Sequence, residues 1–187
     1  WTHRSVTQDV TALLYAENLL DSLADFTLPP LKELTDFETG MPYKIDNVLM
    51  DAHLTVNLSM PALWMRSVNK FSDVFAQETF IDELAMKVGK NPYNFRRDLL
   101  SEKPRHRAVL DAVADAAGWG FNNAGISQGI AVMGHWNSFV AQVVEVSVSA
   151  NRELTVHRVV SAVDCGTAVN PDLVIAQVES AVIFALS

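Results

Sequence analysis

Between Gly125 and Asp164 the chain passes three times through alternating apolar and polar residues, as GISQGIAVMGHW, FVAQVVEVSVSA and ELTVHRVVSAVD. A period of two places successive side chains on opposite faces of an extended backbone, so each run reads as a β-strand with one face buried. The links between runs are too short for a crossover, which leaves an antiparallel meander, its last two strands joined at Ala150-Asn151. In the second strand Gln142, Val144, Val146 and Val148 share a face opposite Glu145 and Ser147. In the third, Leu154, Val156, Arg158 and Val160 share one. Helical patterns precede and follow this sheet, and the predicted class is therefore α+β, with helices on one side.

The helical patterns carry their own punctuation. FAQETFIDELAMKVGKNPYNFRRDLL, Phe75 to Leu100, reads as a helix starting near Ser72 or Asp73, stopped at Gly89 and restarted at Pro92. Glycine suits the left-handed position past a helix end, and proline suits a first turn. Phe80, Ile81, Leu84 and Val88 are expected to supply most of its apolar face. Asp82 and Glu83 diverge by about 100° on a helix and read as rim acids rather than a catalytic pair. Arg96 and Arg97 are expected to face solvent or pair with nearby acids. PRHRAVLDAVADAAGWG gives a second helix with a small-residue face, ended by Gly118, and His106 reads as a residue of its first turn. Asn170 and Pro171 open the last helix as N-cap and N1.

The first fifty residues are less regular. Trp1 leads directly into a strand-like stretch, and DAHLTVNLSM forms a half-buried strand. Between them, residues 18–50 contain Pro-Pro, Thr-Gly and Met-Pro breaks and read as a long irregular excursion.

Composition narrows the function. Of 187 residues 49% are hydrophobic, enough for a core. The 14 basic and 22 acidic residues give a formal charge of −8 with the cations scattered, which argues against nucleic-acid binding. One cysteine, Cys165, makes no intrachain disulfide and no zinc or iron–sulfur site alone. Its Gly and Thr neighbours suggest a buried role in a turn. No apolar run reaches membrane-spanning length, and no phosphate loop, zinc-protease helix, nucleophile elbow or dinucleotide fingerprint is present. Two polar stretches remain as candidates for chemistry. WMRSVNKF places Arg66, Ser67, Asn69 and Lys70 in a non-helical segment suited to an anionic group. GHWNSF places His135, Trp136, Asn137 and Ser138 at a strand junction.

These stretches, with WTHRSV, FSDVFAQETFIDELAMKVGKNPYNFRRDLL, PRHRAVLDAVADAAGWG, GIAVMGHWNSFVAQVVEVSVS and VHRVVSAVDCGTAVNPDLVIAQVES, resemble the molybdenum-binding large subunit of the xanthine dehydrogenase and aldehyde oxidoreductase family. Within it, the isoquinoline 1-oxidoreductase branch, in its beta chain, is the most similar. The resemblance implies a partial molybdopterin-binding domain over residues 1–187, with both ends truncated. It also implies molybdopterin cytosine dinucleotide carrying molybdenum, and a small partner subunit with 2Fe–2S clusters. The rest of the large subunit and a small-molecule substrate, an aldehyde or N-heterocycle hydroxylated with oxygen from water, complete the implied assembly. A bacterial cytoplasmic or periplasmic location fits such members.

Carried over onto this sequence, the family's loop beside the metal matches Trp64, Arg66, Ser67 and Val68, while His135, Trp136 and Ser138 match a further pocket segment. Asp164, Asn170 and Gln177 match structural positions. No catalytic residue is expected within the chain, since the family's base glutamate matches a Gly-rich motif beyond Ser187, and its Gly-Gly-Gly-Phe-Gly type pterin loop would precede Trp1. The sequence departs from the family at Asn69 and Lys70, where Gly or Gly-His is usual, and at Ser180, Ala181 and Ala185, where glycines are usual. A non-catalytic scaffold or binding protein derived from this family is the alternative. A hydrolase built on Ser67 or Cys165 is the third reading, and it lacks an organised base.

Overall fold

A computed structural model of the chain describes residues 1–8, 41–55, 66–67, 70–121 and 124–187. It forms two compact units, one of residues 1–41 and 45–73, the other of 42–44 and 74–187. Most of the interval assigned to an irregular excursion, and the junction at Trp64, Val68 and Asn69, lie outside the described residues.

In the first unit β1 (Thr2–Gln8) pairs in parallel with β2 (Leu49–Thr55), in a register that sets Thr2 beside Leu49 and Gln8 beside Thr55. The Trp1 amino group donates to the Asn47 carbonyl at 2.8 Å, and Leu49 N–H to the Trp1 carbonyl at 2.9 Å. β2 thus begins inside the interval 18–50, and the expected strand is found with a parallel partner that local periodicity cannot reveal.

Helix α1 (Lys70–Lys87) starts two to three residues earlier than the sequence pattern suggests. Its buried side chains are Lys70, Asp73, Gln77, Glu78, Ile81 and Ala85, whereas Phe75, Phe80 and Met86, and Val88 just beyond its end, are exposed. The expectation of an apolar face through Phe80 and Val88 is therefore wrong. Most of the face turned inward is polar, and its Glu78 is met by Tyr43 and Arg96.

Helix α2 (Pro92–Leu99) follows Gly89, whose φ of +67° fits the left-handed break, and Asn91, whose Oδ1 accepts from the N–H groups of Tyr93 and Asn94. Helix α3 (Pro104–Ala117) closes at Gly118 with φ +66°. Tyr93 Oη and Arg97 Nε both donate to Asp111 Oδ1, at 2.8 and 2.9 Å, and join α2 to α3.

The sheet has the predicted topology: β3 (Ser127–His135), β4 (Ser138–Val148) and β5 (Leu154–Asp164) run antiparallel in that order. The β3–β4 link is the two-residue turn Trp136-Asn137, with φ of 45° and 60°, the left-handed pair that matches strand twist. Along β5 the register shifts at His157, a bulge opposite Glu145 and Val146. Ile130 and Val132 of β3 pair with Val143 and Ala141 of β4, and all four are buried. Against them α3 places Val109, Leu110, Val113, Ala114 and Ala117. Each such Val or Leu contributes about 1.5–3 kcal/mol by leaving water.

The final helix α4 (Pro171–Leu186) does not join α3 on that face. It lies over Val159, Ser161 and Val163, which alternate with the α3-facing Val160 of β5. Helices therefore flank both faces of the sheet rather than one. No residue of α4 is buried, despite its apolar composition.

Candidate functional site

The deepest polar cluster of the second unit lies between α1, α2 and β3. Arg96 is fully buried, and Tyr43 and Glu78 are nearly so. Arg96 Nε donates to Glu78 Oε2 at 2.9 Å, its Nη2 to the Glu78 carbonyl at 3.0 Å, and its Nη1 to Asp82 Oδ1 at 2.5 Å. Glu78 also accepts from Tyr43 Oη at 2.7 Å and from the Val132 backbone N–H of β3 at 3.1 Å. Burial pushes the Glu78 carboxyl up, with Arg96, Tyr43 and the Val132 N–H opposing. Burial likewise pulls the Arg96 guanidinium down, but Glu78, Tyr43 and Asp82 outweigh it and leave a net upward shift. Tyr43 is raised well above the ordinary phenol range by burial and by Glu78. The hydrogen bonds account for these groups among themselves, which makes the cluster a packing device joining three elements and leaves no group directed at a ligand. Of the two expectations for Arg96, solvent or a nearby acid, the second holds, with the pair formed inside the core.

A second cluster forms where α3 begins and the sheet ends. Arg105 Nε and Nη2 fork onto Asp164 Oδ2 and Oδ1, both at 2.7 Å, and Nη1 donates to Asn137 Oδ1 at 2.6 Å. The guanidinium lies 4.2 Å from the centre of the Phe139 ring, and His106 meets the same ring edge-on at 4.7 Å. Asp164 Oδ1 also accepts the Gly166 N–H at 3.0 Å. The hydrogen bond from Arg105, then that from Gly166, hold the Asp164 carboxyl down at about 2. Burial, then Lys103 and Arg105, hold the His106 imidazole down at about 4, so it is neutral near pH 7. A β-carbon at Gly134 would stand 2.6 Å from His106 Nε2, so the close approach of His106 requires glycine there.

Beside this cluster a groove of about 850 Å³ runs between β5 and α4. Val159, Val163, Val174, Val178 and Val182 supply apolar walls, and Asp164, Cys165 and Gly166 form one polar end. Its charged members are Asp164 and Glu179, both acidic.

The sequence-predicted residues divide between the units. Arg66 and Ser67 form an exposed turn in the first unit, Ser67 with φ +70°, and the Ser67 carbonyl accepts the Lys70 N–H at 2.8 Å as α1 begins. Lys70 is helical and only 2% exposed, so the segment expected to be non-helical through Lys70 ends before it. Trp64 and Val68 lie outside the described residues. In the second unit His135 stacks on Trp136 at 4.5 Å, with Trp136 81% exposed at the hairpin tip, and Ser138 opens β4. Asp164 is joined to that hairpin through Arg105 and Asn137. Asn170 caps α4, its Oδ1 accepting the Leu173 N–H at 3.1 Å, and Gln177 lies exposed on the same helix. Cys165 is half-buried in a turn, as its neighbours suggest.

Sequence pattern does not single out Arg105 as a site residue. A signal exists all the same: a cation in a helix's first turn opposes the macrodipole and calls for an acidic partner. That partner lies 59 residues away, beyond the reach of local pattern.

Comparison with known proteins agrees with the resemblance carried by the motifs. The beta chain of isoquinoline 1-oxidoreductase from Brevundimonas diminuta is 35% identical over 139 residues, covering 72% of this chain and 18% of that protein. A nicotinate dehydrogenase subunit of Pseudomonas putida is 35% identical over 95 residues, covering 49% and 8%. A membrane-bound aldehyde dehydrogenase (pyrroloquinoline-quinone) of Gluconacetobacter polyoxogenes is 30% identical over 148 residues, covering 66% and 19%. The chain thus spans less than a fifth of the length of these relatives. No solved structure matches.

Among the described residues, the chemistry of the donors separates two places where an anionic, phosphate-bearing cofactor could meet this chain. The groove does not fit one, because its charged side chains are acids and its walls are β-branched hydrocarbon. The exposed Arg66–Ser67 turn offers a guanidinium, whose chemistry suits an anion, while the first turn of the helix that follows carries Asp73. Among the described residues no group of three His, Cys, Asp or Glu side chains could hold a metal ion. A family model for the molybdopterin cofactor-binding domain matches residues 83–187, more than half of the sequence, and the chain belongs to that family.

Proposed function

We propose that the chain is a portion of the large subunit of a molybdenum hydroxylase that oxidises an N-heterocycle or an aldehyde, with oxygen taken from water. The family match over residues 83–187 carries this reading, and the names of the relatives, an isoquinoline oxidoreductase, a nicotinate dehydrogenase and an aldehyde dehydrogenase, supply the substrate classes. The working assembly would hold molybdopterin as its cytosine dinucleotide and pass electrons to 2Fe–2S clusters on a small subunit. The remainder of the large subunit would supply both glycine-rich motifs and the base glutamate.

When bound, the cofactor supplies the two-electron redox chemistry, and the protein orients it and excludes competing reactions. The contribution assigned to this chain is positional. Arg66, next to Ser67, would hold an anionic part of the cofactor by charge-assisted hydrogen bonds. Trp64 and Val68 would line the same pocket, and His135, Trp136 and Ser138 another part of it. Asp164, Asn170 and Gln177 would fix the backbone. The overall change replaces a C–H bond by C–OH, consuming one water and releasing two electrons and two protons.

Turnover of the complete assembly in water enriched in oxygen-18, with an electron-poor N-heteroaromatic and an aldehyde as alternative substrates, tests the proposal. One heavy oxygen in the hydroxylated heteroaromatic, or two in the acid, since the aldehyde carbonyl itself exchanges with water, supports it and chooses between the two classes. Product oxygen drawn from dioxygen overturns it in favour of an oxygenase, and no turnover by the metal-loaded assembly overturns it in favour of the scaffold reading that the bulkier Asn69, Lys70, Ser180 and Ala181 suggest.

A further inference from the structure

The Arg105 cluster has a geometry beyond what an ordinary surface ion pair needs. Exposed pairs contribute little because long side chains lose freedom and water screens the charges. Here three nitrogens of one guanidinium are committed, two to Asp164 and one to Asn137, and its face rests on Phe139. The same Asp164 carboxylate closes the turn by accepting the Gly166 N–H. One side chain therefore ties the start of α3 to the left-handed hairpin tip and to the exit of β5. The exit matters because Asp164, Cys165 and Gly166 form the polar end of the groove, and Pro171 begins α4 soon after.

We propose that Arg105 is a positioning residue whose fork onto Asp164 sets the 164–170 turn and, through it, the width of the groove between β5 and α4. The pair adds little to the global stability of the unit and much to the geometry of that one opening. This inference concerns the chain's own conformation and stands whether or not the hydroxylase assignment holds.

Cys165 supplies the probe, because it is the sole cysteine of the chain and lies at the groove's polar end. The experiment compares alkylation of Cys165 by a bulky maleimide in the 187-residue chain and in its Arg105→Leu and Arg105→Lys variants. Melting temperature and amide exchange over residues 164–174 are followed alongside. Loss of a cation beside a thiol by itself slows thiolate attack, so a faster rate cannot come from electrostatics. Arg105→Leu is expected to label about ten times faster and to exchange those amides faster, with an unchanged circular dichroism spectrum and a melting temperature within a few degrees. Arg105→Lys, which keeps the charge but not the fork, is expected to fall between. In the unaltered chain, raising salt from about 0.05 to 1 M should speed labelling by screening the pair, and should leave Arg105→Leu unaffected. That salt series keeps the test valid should the leucine variant fail to fold. Equal labelling of folded Arg105→Leu and unaltered chain, or salt-independent labelling of the unaltered chain, overturns the proposal.

Discussion

Replacing Arg96 by methionine isolates the cost of an unpaired buried carboxylate. The guanidinium is 0% exposed and donates to the Glu78 carboxylate, the Glu78 carbonyl, Asp82 and the Pro92 carbonyl. Methionine fills comparable length but donates nothing, so Glu78 keeps only Tyr43 Oη and the Val132 N–H as partners. Removing one member of a buried ion pair costs about 3–5 kcal/mol, because the other charge stays desolvated. Urea unfolding at pH 7 should show a loss of that size. The pH dependence follows from the same carboxylate. Burial already raises the folded-state pKa of Glu78 above its ordinary value of 4.5, and loss of Arg96 raises it further. A group raised on folding contributes stability below its unfolded pKa and loses it as pH rises through the folded one. The penalty in Arg96→Met should therefore shrink as pH falls toward 4.5. Adding Glu78→Gln should recover part of the loss at pH 7, with a coupling of about 0.5–3 kcal/mol. A loss below about 0.5 kcal/mol, typical of a surface change, would refute the buried network.

Three further perturbations test other parts of the structure. Asp164 should titrate at about 2 by carboxyl NMR, and its folding contribution, present above pH 3.8, should vanish as pH falls through that midpoint. In Arg105→Leu the Asp164 midpoint should return toward 3.8, and a midpoint already near 3.8 in the unaltered chain would deny the fork. Gly134→Ala should destabilise by about 1–3 kcal/mol in thermal or urea unfolding, since its methyl would collide with His106 and Phe139. Asn170→Ala should cost α4 about 0.5–2 kcal/mol, read as faster amide exchange at Leu173 and its neighbours.

What is legible in the sequence and what is hidden divide along physical lines. The three strands are legible because a period of two with short links admits few alternatives. The helix punctuation at Gly89, Pro92, Gly118 and Asn170 is legible because each residue answers a backbone requirement of its own. The inward face of α1 is not. Hydrophobic periodicity points to Phe80 and Val88, while the buried positions include Glu78, whose partners Tyr43, Arg96 and Val132 come from three other segments. A buried polar network is a tertiary property, and the sequence leaves Arg96 between solvent and a nearby acid until its acids are placed around it. Arg105 stays hidden for the same reason, with Asp164 across the sheet. The parallel pairing of β1 and β2 is likewise non-local. The pocket residues Arg66, Ser67, His135, Trp136 and Ser138 are named through family motifs, and their roles in that pocket belong to the proposal.

The most direct test of that proposal is an intact-mass measurement of the purified native assembly, with molybdenum and iron quantified on the same sample. The hydroxylase reading predicts additional polypeptide, about one molybdenum and about four iron atoms per assembly, the iron being two 2Fe–2S clusters. A lone chain of 20.6 kDa without either metal would contradict it.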